Sequence, residues 1–226
     1  MAVKTIEVKE SITASNDRDA EKLREDLKEK GVFLINLMSS PGSGKTTLLL
    51  RTIKDLKDRL SIGVIEADIA SDVDAVKIQS AGAKSIQIHT DGMCHVDAGM
   101  TERSLRELGT DGLELIILEN IGNLICPAEF DTGARRNVMI LSVPEGDDKP
   151  LKYPLMFSKS DVLIVTKIDT VSVFDFEIEK LKERVKKLNP DIKVFELSAK
   201  TGEGMEPWEN WILSEMESFR KERCMN

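Results

Sequence analysis

Residues 39–46 constrain the fold of this chain more than any other segment, because they read Ser-Ser-Pro-Gly-Ser-Gly-Lys-Thr. An apolar run at residues 32–38 precedes them and predicts a buried strand, and the leucine-rich residues 47–51 predict the first turns of a helix. Glycines between a strand and a helix let several backbone N–H groups point inward, and the helix N-terminus adds partial positive charge. This context indicates a phosphate-binding loop rather than a chance glycine-serine turn.

The polar side chains of this loop have separate predicted tasks. Lys45 can reach the β- and γ-phosphates of a bound nucleotide, and the Thr46 hydroxyl can ligate Mg²⁺. Ser39 stands where the motif usually has its first glycine, and it keeps a small side chain there. We expect the nucleotide to contact a run of consecutive residues: Pro41, Gly42, Ser43, Gly44, Lys45, Thr46 and Thr47.

The length and composition of the chain predict one large domain. It has 226 residues, of which 41% are hydrophobic and 32% charged, as in a globular protein with a substantial core. We expect a single domain over residues 1–226, with residues 1–30 as an N-terminal extension that carries a helix and residues 31–226 as the core. Ser15 or Asn16 can cap that helix, whereas residues 1–13 read as extended.

Charge and composition argue against two classes of partner. A net charge of −8 and an aromatic content of 4% argue against nucleic-acid binding. No apolar run approaches the ~18 residues that span a bilayer, and residues 1–4 do not begin a signal peptide, so no membrane association is expected. Three cysteines do not form a disulfide framework, so we expect a cytoplasmic protein with reduced thiols.

Apolar runs alternate with helical patterns along the chain, which predicts an α/β fold. Helices are predicted at residues 72–81 and 96–108, then over a segment with apolar residues from Phe174 to Leu188, and finally from Pro207 onward. Strands are predicted at residues 32–38, 62–67, 85–89, 113–118, 137–143, 161–166 and 192–197. This alternation is typical of a P-loop NTPase fold, in which helices cover both faces of a mostly parallel sheet. Ligands then bind beyond the carboxyl ends of the strands.

Two polar segments after strands favour guanine as the base. Residues 166–169 read Thr-Lys-Ile-Asp, and Asp169 can accept hydrogen bonds from the ring N–H and the exocyclic amine of guanine, a donor pair that adenine lacks. The Lys167 stem can lie along the ring face. Ser198, Ala199 and Lys200 would complete the pocket, so GTP is the predicted nucleotide.

Acidic residues at two other strand ends predict the Mg²⁺ site. Asp68 and Glu119 can ligate the ion beside Thr46, because magnesium needs only one or two carboxylates and keeps several waters. Gly122 can offer its N–H to the γ-phosphate and so sense its presence. Whether Asp72 or Asp74 shares the magnesium role stays open. No glutamine is placed to orient the attacking water, so slow hydrolysis is expected.

Cys94, His95 and Cys126 are candidate ligands for zinc or nickel. Three such ligands do not close a tetrahedral site, whereas two chains that meet across a two-fold axis would bring six. On spacing alone, the usual interpretation of a Cys-His pair is a buried cysteine beside a polar residue. Placement favours metal, because both cysteine segments connect to the strand ends that carry Asp68 and Glu119.

In these residues the chain resembles the HypB family of hydrogenase nickel-incorporation GTPases, which belongs to the SIMIBI class of P-loop NTPases. The most specific features are the Cys-His pair followed by a later Cys-Pro, and the sequence Pro-Glu-Gly-Asp-Asp-Lys-Pro at residues 144–150. The matching segments extend over roughly residues 30–205 and comprise residues 36–47, 65–68, 92–98, 119–123, 126–127, 144–150 and 166–169.

The resemblance implies a function that spacing does not give. Such proteins deliver nickel to the large-subunit precursor of [NiFe]-hydrogenase, dimerise in response to GTP, and work with a HypA-like metallochaperone. Cys94, His95 and Cys126 would bind Zn²⁺ or Ni²⁺ at the dimer interface, and Lys149 would reach the nucleotide or the partner chain. Some members carry an N-terminal nickel store, but residues 1–30 contain no cysteine or histidine.

Three alternatives stay open. A urease-type nickel GTPase has a similar nucleotide site, but its Cys-Pro-His motif is absent here. A P-loop small-molecule kinase would need an arginine-rich lid, for which only Arg135 and Arg136 offer themselves, and it would leave Asp169 unexplained. A metal-binding scaffold would use its nucleotide only for stability.

Overall fold

A computed structural model describes residues 8–67, 73–90 and 92–224 of the chain. The predicted magnesium ligand Asp68 and its neighbour Asp72 lie outside these ranges. No helix within the described residues is long and apolar enough to cross a membrane.

Within the described residues, seven strands form one sheet in the order β3-β2-β4-β1-β5-β6-β7, and all neighbouring strands are parallel. This arrangement confirms the predicted mostly parallel sheet. The strands are β1 Phe33–Ser39, β2 Ile62–Glu66, β3 Lys84–Gln87, β4 Leu115–Glu119, β5 Arg136–Ser142, β6 Val162–Thr166 and β7 Lys193–Glu196.

Helices cover both faces of the sheet, as the sequence predicts. They are α1 Val8–Lys30, α2 Lys45–Leu56, α3 Val73–Ala81, α4 Ala98–Leu108, α5 Lys149–Lys152, α6 Pro154–Lys159, α7 Ile178–Leu188 and α8 Met205–Cys224. Side chains of a strand alternate between its two faces, so Phe33 and Ile35 of β1 pack with α2, α3 and α8, whereas Leu34 packs with α1 and α4. A third apolar cluster joins β5 and β6 to α6 and α7.

The N-terminal helix begins earlier than predicted. It starts at Val8, so the expectation of an extended segment is wrong for residues 8–13. No glycine or proline interrupts this helix, and nothing therefore stops it from running through Asn16. The Asn16 amide instead joins other segments, because Oδ1 accepts from the Ala98 N–H at 2.9 Å and Nδ2 donates to the Asp131 carbonyl at 2.8 Å.

Two other helix starts differ from the prediction. Phe174 lies before α7 and is 43% exposed. The helix begins only at Ile178, because the preceding Glu177 N–H donates to the Asp147 carboxylate at 2.8 Å and fixes the chain there. Helix α8 begins at Met205, and Pro207 sits in its first turn, where a missing N–H costs no helical hydrogen bond.

The short helices α5 and α6 were not predicted. A 3₁₀ turn at Val143–Glu145 and α5 occupy much of the segment at residues 144–150. Pro150 and Pro154 stand in the first turns of α5 and α6, where proline is favoured. Four and six residues are too few for an apolar period to show.

Candidate nucleotide and metal site

Parallel pairing brings the predicted site loops to one edge of the sheet. Leu37 of β1 lies opposite Glu119 of β4, and Ser142 of β5 lies opposite Thr166 of β6. The strands therefore end at similar heights, and the residues that follow them converge on the loop after β1. This is the edge where open parallel sheets bind ligands.

The phosphate-binding loop has the backbone that its glycines predict. Gly42 and Gly44 have φ angles of 76° and 97°, in the left-handed region that a side chain rarely adopts. Lys45 begins α2 and is only 5% exposed. The Ser43 hydroxyl is buried and has no hydrogen-bond partner within the described chain. These groups provide inward polar atoms at a helix N-terminus, which is suited to a polyphosphate.

The base-reading segment is tied directly to the phosphate-binding loop. The Thr166 hydroxyl donates to the Ser43 carbonyl at 2.7 Å, and Lys167 Nζ donates to the Gly42 carbonyl at 2.7 Å. The Lys167 stem passes over Gly44, since a Cβ added to that glycine would lie 3.7 Å from Lys167 Cε. Lys167 has a φ of 60°, the only left-handed non-glycine residue in the described chain. The Thr166 hydroxyl therefore braces the phosphate-binding loop.

A cavity of about 360 Å³ brings the predicted base contacts together. Its size suits a small ligand. Asp169 is exposed on a 3₁₀ turn at Ile168–Thr170, so its carboxylate is open to a ligand. Thr170 is a lining residue that sequence reasoning missed, because an isolated threonine after the motif carries no signal. The cavity is lined by Ser43, Gly44, Thr47, Thr166, Lys167, Asp169, Thr170, Ser198, Ala199 and Lys200.

The loop after β7 is held in a tight turn. The Ser198 N–H donates to the Glu203 carbonyl at 2.8 Å, and the Gly202 N–H donates to the Ser198 carbonyl at 2.8 Å. Gly204 has a φ of 72°, and a Cβ there would lie 2.0 Å from the Glu196 carbonyl oxygen. Only glycine fits at that position, so this contact sets how residues 198–200 face the cavity.

Oxygen ligands that suit magnesium meet beside the phosphate-binding loop. The Thr46 hydroxyl donates to Glu119 Oε1 at 3.1 Å, and Glu119 is 2% exposed. A hydroxyl and a carboxylate at a strand end fit a hard cation that keeps some of its waters. Thr46 and Glu119 can thus hold Mg²⁺, whose charge would offset that of the phosphates.

The loop after β4 touches the phosphate-binding loop. A Cβ added to Gly122 would lie 3.0 Å from the Pro41 nitrogen, so only a glycine allows this approach without displacement. The preceding Asn120 is buried, and its amide donates to Asn36 Oδ1 at 3.0 Å. Asn36 in turn donates to Asn137 Oδ1 at 3.0 Å. Sequence reasoning missed this buried asparagine chain, which fixes the base of the loop.

The segment at residues 144–150 contacts the phosphate-binding loop through an unpredicted residue. The Glu145 carboxylate accepts a hydrogen bond from the Ser40 hydroxyl and another from the Ser142 N–H at 2.8 Å. Lys149, the predicted contact, has its ammonium 5.6 Å from the centroid of the Tyr153 ring. Glu145 therefore links this segment to the nucleotide loop, and contact of Lys149 with the nucleotide or a partner chain stays a prediction.

The two predicted cysteine ligands are adjacent in space. Cys94 Sγ lies 2.8 Å from Cys126 Sγ, although 32 positions separate them in sequence. His95 Nδ1 lies 3.9 Å from Cys94 Sγ, and the His95 ring stacks on Phe130 with centroids 3.8 Å apart. Within the described part of the chain, no three His, Cys, Asp or Glu side chains form a ready-made metal cage. One chain thus offers two sulfurs side by side with an imidazole nearby, a donor set that suits zinc or nickel but leaves the site open.

Local contacts set the protonation of these ligands. The hydrogen bond with Cys126, followed by burial, raises the pKa of the Cys94 thiol above its ordinary value. Burial lowers the pKa of His95, so its imidazole is neutral at pH 7 and keeps a lone pair for a metal.

Comparison with known proteins agrees with this geometry. A family model described as CobW/HypB/UreG, nucleotide-binding domain, matches residues 33–196. The hydrogenase maturation factor HypB of Rhizobium leguminosarum bv. viciae is 46% identical over 207 residues, which cover 92% of this chain and 69% of that protein.

Two solved structures resemble this one over most of their length. Hydrogenase maturation factor HypB from Archaeoglobus fulgidus is 37% identical with a TM-score of 0.85, and the match covers 90% of this chain and 99% of that one. HypB from Helicobacter pylori in complex with nickel is 39% identical with a TM-score of 0.84, covering 90% and 96%. Both the sequence motifs and the fold are shared, and the chain therefore belongs to the HypB family within the CobW/HypB/UreG group of nucleotide-binding proteins.

Proposed function

We propose that this protein binds and slowly hydrolyses GTP and couples that cycle to nickel delivery during maturation of [NiFe]-hydrogenase. The observation that carries the proposal is a juxtaposition. Gly122 packs on the phosphate-binding loop, and four residues later Cys126 lies 2.8 Å from Cys94 through their sulfurs. Nucleotide loop and metal ligands thus share one short segment.

The nucleotide half of the proposal rests on Asp169 and on Thr46 with Glu119. The Asp169 carboxylate pairs with the two donors on the edge of guanine, while Lys167 covers the ring and Ser198 to Lys200 close the cavity. Thr46 and Glu119 hold magnesium at the phosphates, with Asp68 as a further proposed ligand. Lys45 offsets the charge that develops on the transferring phosphate. Hydrolysis is slow because no side chain is assigned to activate the attacking water.

Nickel is the proposed cargo of the Cys94, His95 and Cys126 ligands. Thiolates and a neutral imidazole favour nickel and zinc over magnesium. The nickel complex of the Helicobacter pylori relative supports this choice. Since one chain leaves the ligand set open, two GTP-bound chains would meet and complete it. A HypA-like chaperone and the hydrogenase large-subunit precursor are the proposed partners.

Two exposed leucines on the short helices that follow Glu145 support the proposed dimer. Leu151 on α5 is 67% exposed and Leu155 on α6 is 42% exposed. Both leucines follow Glu145, whose carboxylate accepts a hydrogen bond from Ser40 of the nucleotide loop. A movement of that loop can therefore change the position of the two exposed side chains. Large apolar side chains exposed together often mark a protein contact.

The double variant Leu151→Ala/Leu155→Ala is expected to weaken the GTP-bound dimer by about 30–1,000-fold, because each truncation removes roughly 1–2 kcal/mol of buried apolar contact and the two together remove roughly 2–4 kcal/mol. Sedimentation equilibrium with a non-hydrolysable GTP analogue measures the change. Val76→Ala is the matched control, since Val76 is 60% exposed on α3. An unchanged dimer constant in the double variant would place the interface elsewhere.

The proposed function as a whole is tested by light scattering after size exclusion, combined with metal analysis. Samples contain GDP or a non-hydrolysable GTP analogue, each with and without nickel or zinc. We expect a dimer that carries metal with the GTP analogue and a monomer with GDP. A monomer without bound metal in every nucleotide state would refute the nickel-delivery function.

Nucleotide consumption separates the alternatives. A P-loop kinase would consume ATP only when an acceptor is present, whereas the proposed GTPase consumes GTP alone. A metal-binding scaffold would keep partner function in Lys45→Ala whenever that variant is folded. The proposed GTPase would lose it, because Lys45 contacts the phosphates that drive the cycle.

A further inference from the structure

Asn123 connects both halves of the candidate metal site. Its side-chain Nδ2 donates to the Cys94 carbonyl at 3.2 Å. Its Oδ1 accepts from the Ile125 N–H at 2.9 Å, and Ile125 caps the 3₁₀ turn that begins at Cys126. One amide side chain therefore holds the backbone of one cysteine and positions the turn that carries the other.

The same asparagine follows directly on the nucleotide-contacting part of its loop. Glu119 accepts from the Thr46 hydroxyl, and Gly122, next to Asn123, packs against Pro41. A displacement of Gly122 by an added γ-phosphate has to move its covalent neighbour. The Asn123 amide then transmits that movement to the Cys94 carbonyl. Cys94 lies 29 positions away in sequence, so this hydrogen bond is the direct connection between the two segments.

We propose that Asn123 is the positioning residue that couples nucleotide state to the geometry of the Cys94 and Cys126 ligand pair. The inference rests on the proposed function, because it assumes that the two cysteines bind nickel and that the loop at residues 119–123 responds to the γ-phosphate. It adds the residue through which the response travels. Asn123 acts on the ligands through backbone groups and does not itself need to touch the metal.

The test measures nickel affinity by competition with a chromophoric chelator, in separate samples with GDP and with a non-hydrolysable GTP analogue. Coupling between two sites commonly changes affinity by about 5–150-fold, so the wild-type ratio between the two states should lie in that range. In Asn123→Ala the ratio should fall to about 1–2, while both states still bind nickel. Asn123→Asp keeps the acceptor for Ile125 but loses the donor to Cys94, and it should lose most of the ratio as well.

Asn189 provides the matched control. It also donates to a distant carbonyl, that of Ser160 at 2.8 Å, and accepts from the N–H two residues on, that of Asp191 at 3.2 Å. Asn189→Ala should therefore lose comparable hydrogen bonds and keep the wild-type ratio. Equal ratios in Asn123→Ala and Asn189→Ala would overturn the inference.

The two proposals fail in different ways. If Asn123→Ala lowers nickel affinity by the same factor in both nucleotide states, the residue is merely structural and the coupling inference is wrong, while the proposed function stands. If the wild-type protein binds no nickel, or binds it equally in both states, the proposed function is wrong and the inference falls with it.

Discussion

Asp169→Asn is expected to convert the guanine site into one that prefers xanthosine nucleotides. The carboxylate of Asp169 offers two acceptors, which match the ring N–H and the exocyclic amine of guanine. Asparagine offers one acceptor and one donor, which match the ring N–H and the 2-carbonyl of xanthine. With guanine, the variant loses the charge-assisted hydrogen bonds of the carboxylate, and the new side-chain N–H faces the exocyclic amine without an acceptor. GTP binding should therefore weaken by about 100–1,000-fold. Titration with fluorescent GDP and its xanthosine counterpart measures both affinities.

The matched control for this substitution is Asp175→Asn. Asp175 is exposed and is not among the residues that line the cavity. Its substitution therefore removes the same charge as Asp169→Asn but removes no predicted contact with the base. It should leave both affinities within about twofold, a change that would correspond to ~0.4 kcal/mol. If Asp169→Asn loses GTP without gaining xanthosine nucleotide, the carboxylate does not read the edge of the base and acts only on the loop.

Cys126→Ser is expected to lower nickel affinity by at least about 100-fold. Loss of groups that only orient a metal ligand commonly costs 10–100-fold, and a lost sulfur ligand should cost at least as much. Serine keeps the shape of the side chain, so the 3₁₀ turn at Cys126–Ala128 should persist. The thiolate-to-nickel charge-transfer absorbance and the chelator competition both report the loss.

Cys224→Ser controls for the removal of a thiol as such. Cys224 is exposed at the end of α8 and is separate from the cysteine pair at Cys94 and Cys126. It should bind nickel as the wild-type chain does. Because Cys94 still offers a thiolate, a charge-transfer band of unchanged intensity together with unchanged nickel affinity in Cys126→Ser, or a loss of either in Cys224→Ser, would contradict the assigned ligand set.

The sequence predicts the sheet well because its central strands are continuous apolar runs. β1, β2, β4 and β6 are buried along their whole length, and a continuous apolar run is what such strands require. The rule that ligands bind at the carboxyl ends of parallel strands then indicates where Lys167, Asp169 and Ser198 should meet. The structure places all three around one cavity.

Contacts between distant polar residues were not predictable in the same way. Glu145, Asn123 and Thr170 lie in turns and carry no periodic pattern, so their sequence positions do not reveal what they touch. Glu145 meets Ser40 across 105 positions, and Asn123 meets Cys94 across 29. Each contact exists because the sheet order brings two loops together, and that order does not follow from a single sequence.

The start of α1 shows a different limit. Ser15 and Asn16 are good N-caps, but a helix begins where its stabilising contacts begin, and capping residues tolerate interior positions. The Asn16 side-chain amide forms hydrogen bonds with the backbone of Ala98 and Asp131, two residues that lie far along the chain. Tertiary contact therefore overrides a local capping signal.

The hydrogen bonds that join Thr166 and Lys167 to the phosphate-binding loop bear on which nucleotide the protein would hold. They tie the base pocket to carbonyls beside the phosphates that GDP and GTP have in common, so changes there should shift the affinities for both nucleotides by a similar factor. Under the proposed function, discrimination between GDP and GTP would fall to the opposite side of the loop, where Gly122 approaches Pro41. Under the proposed function, the ratio of GTP to GDP in solution and the contact at Gly122 then set together which nucleotide the protein holds, and a low ratio would favour the GDP form.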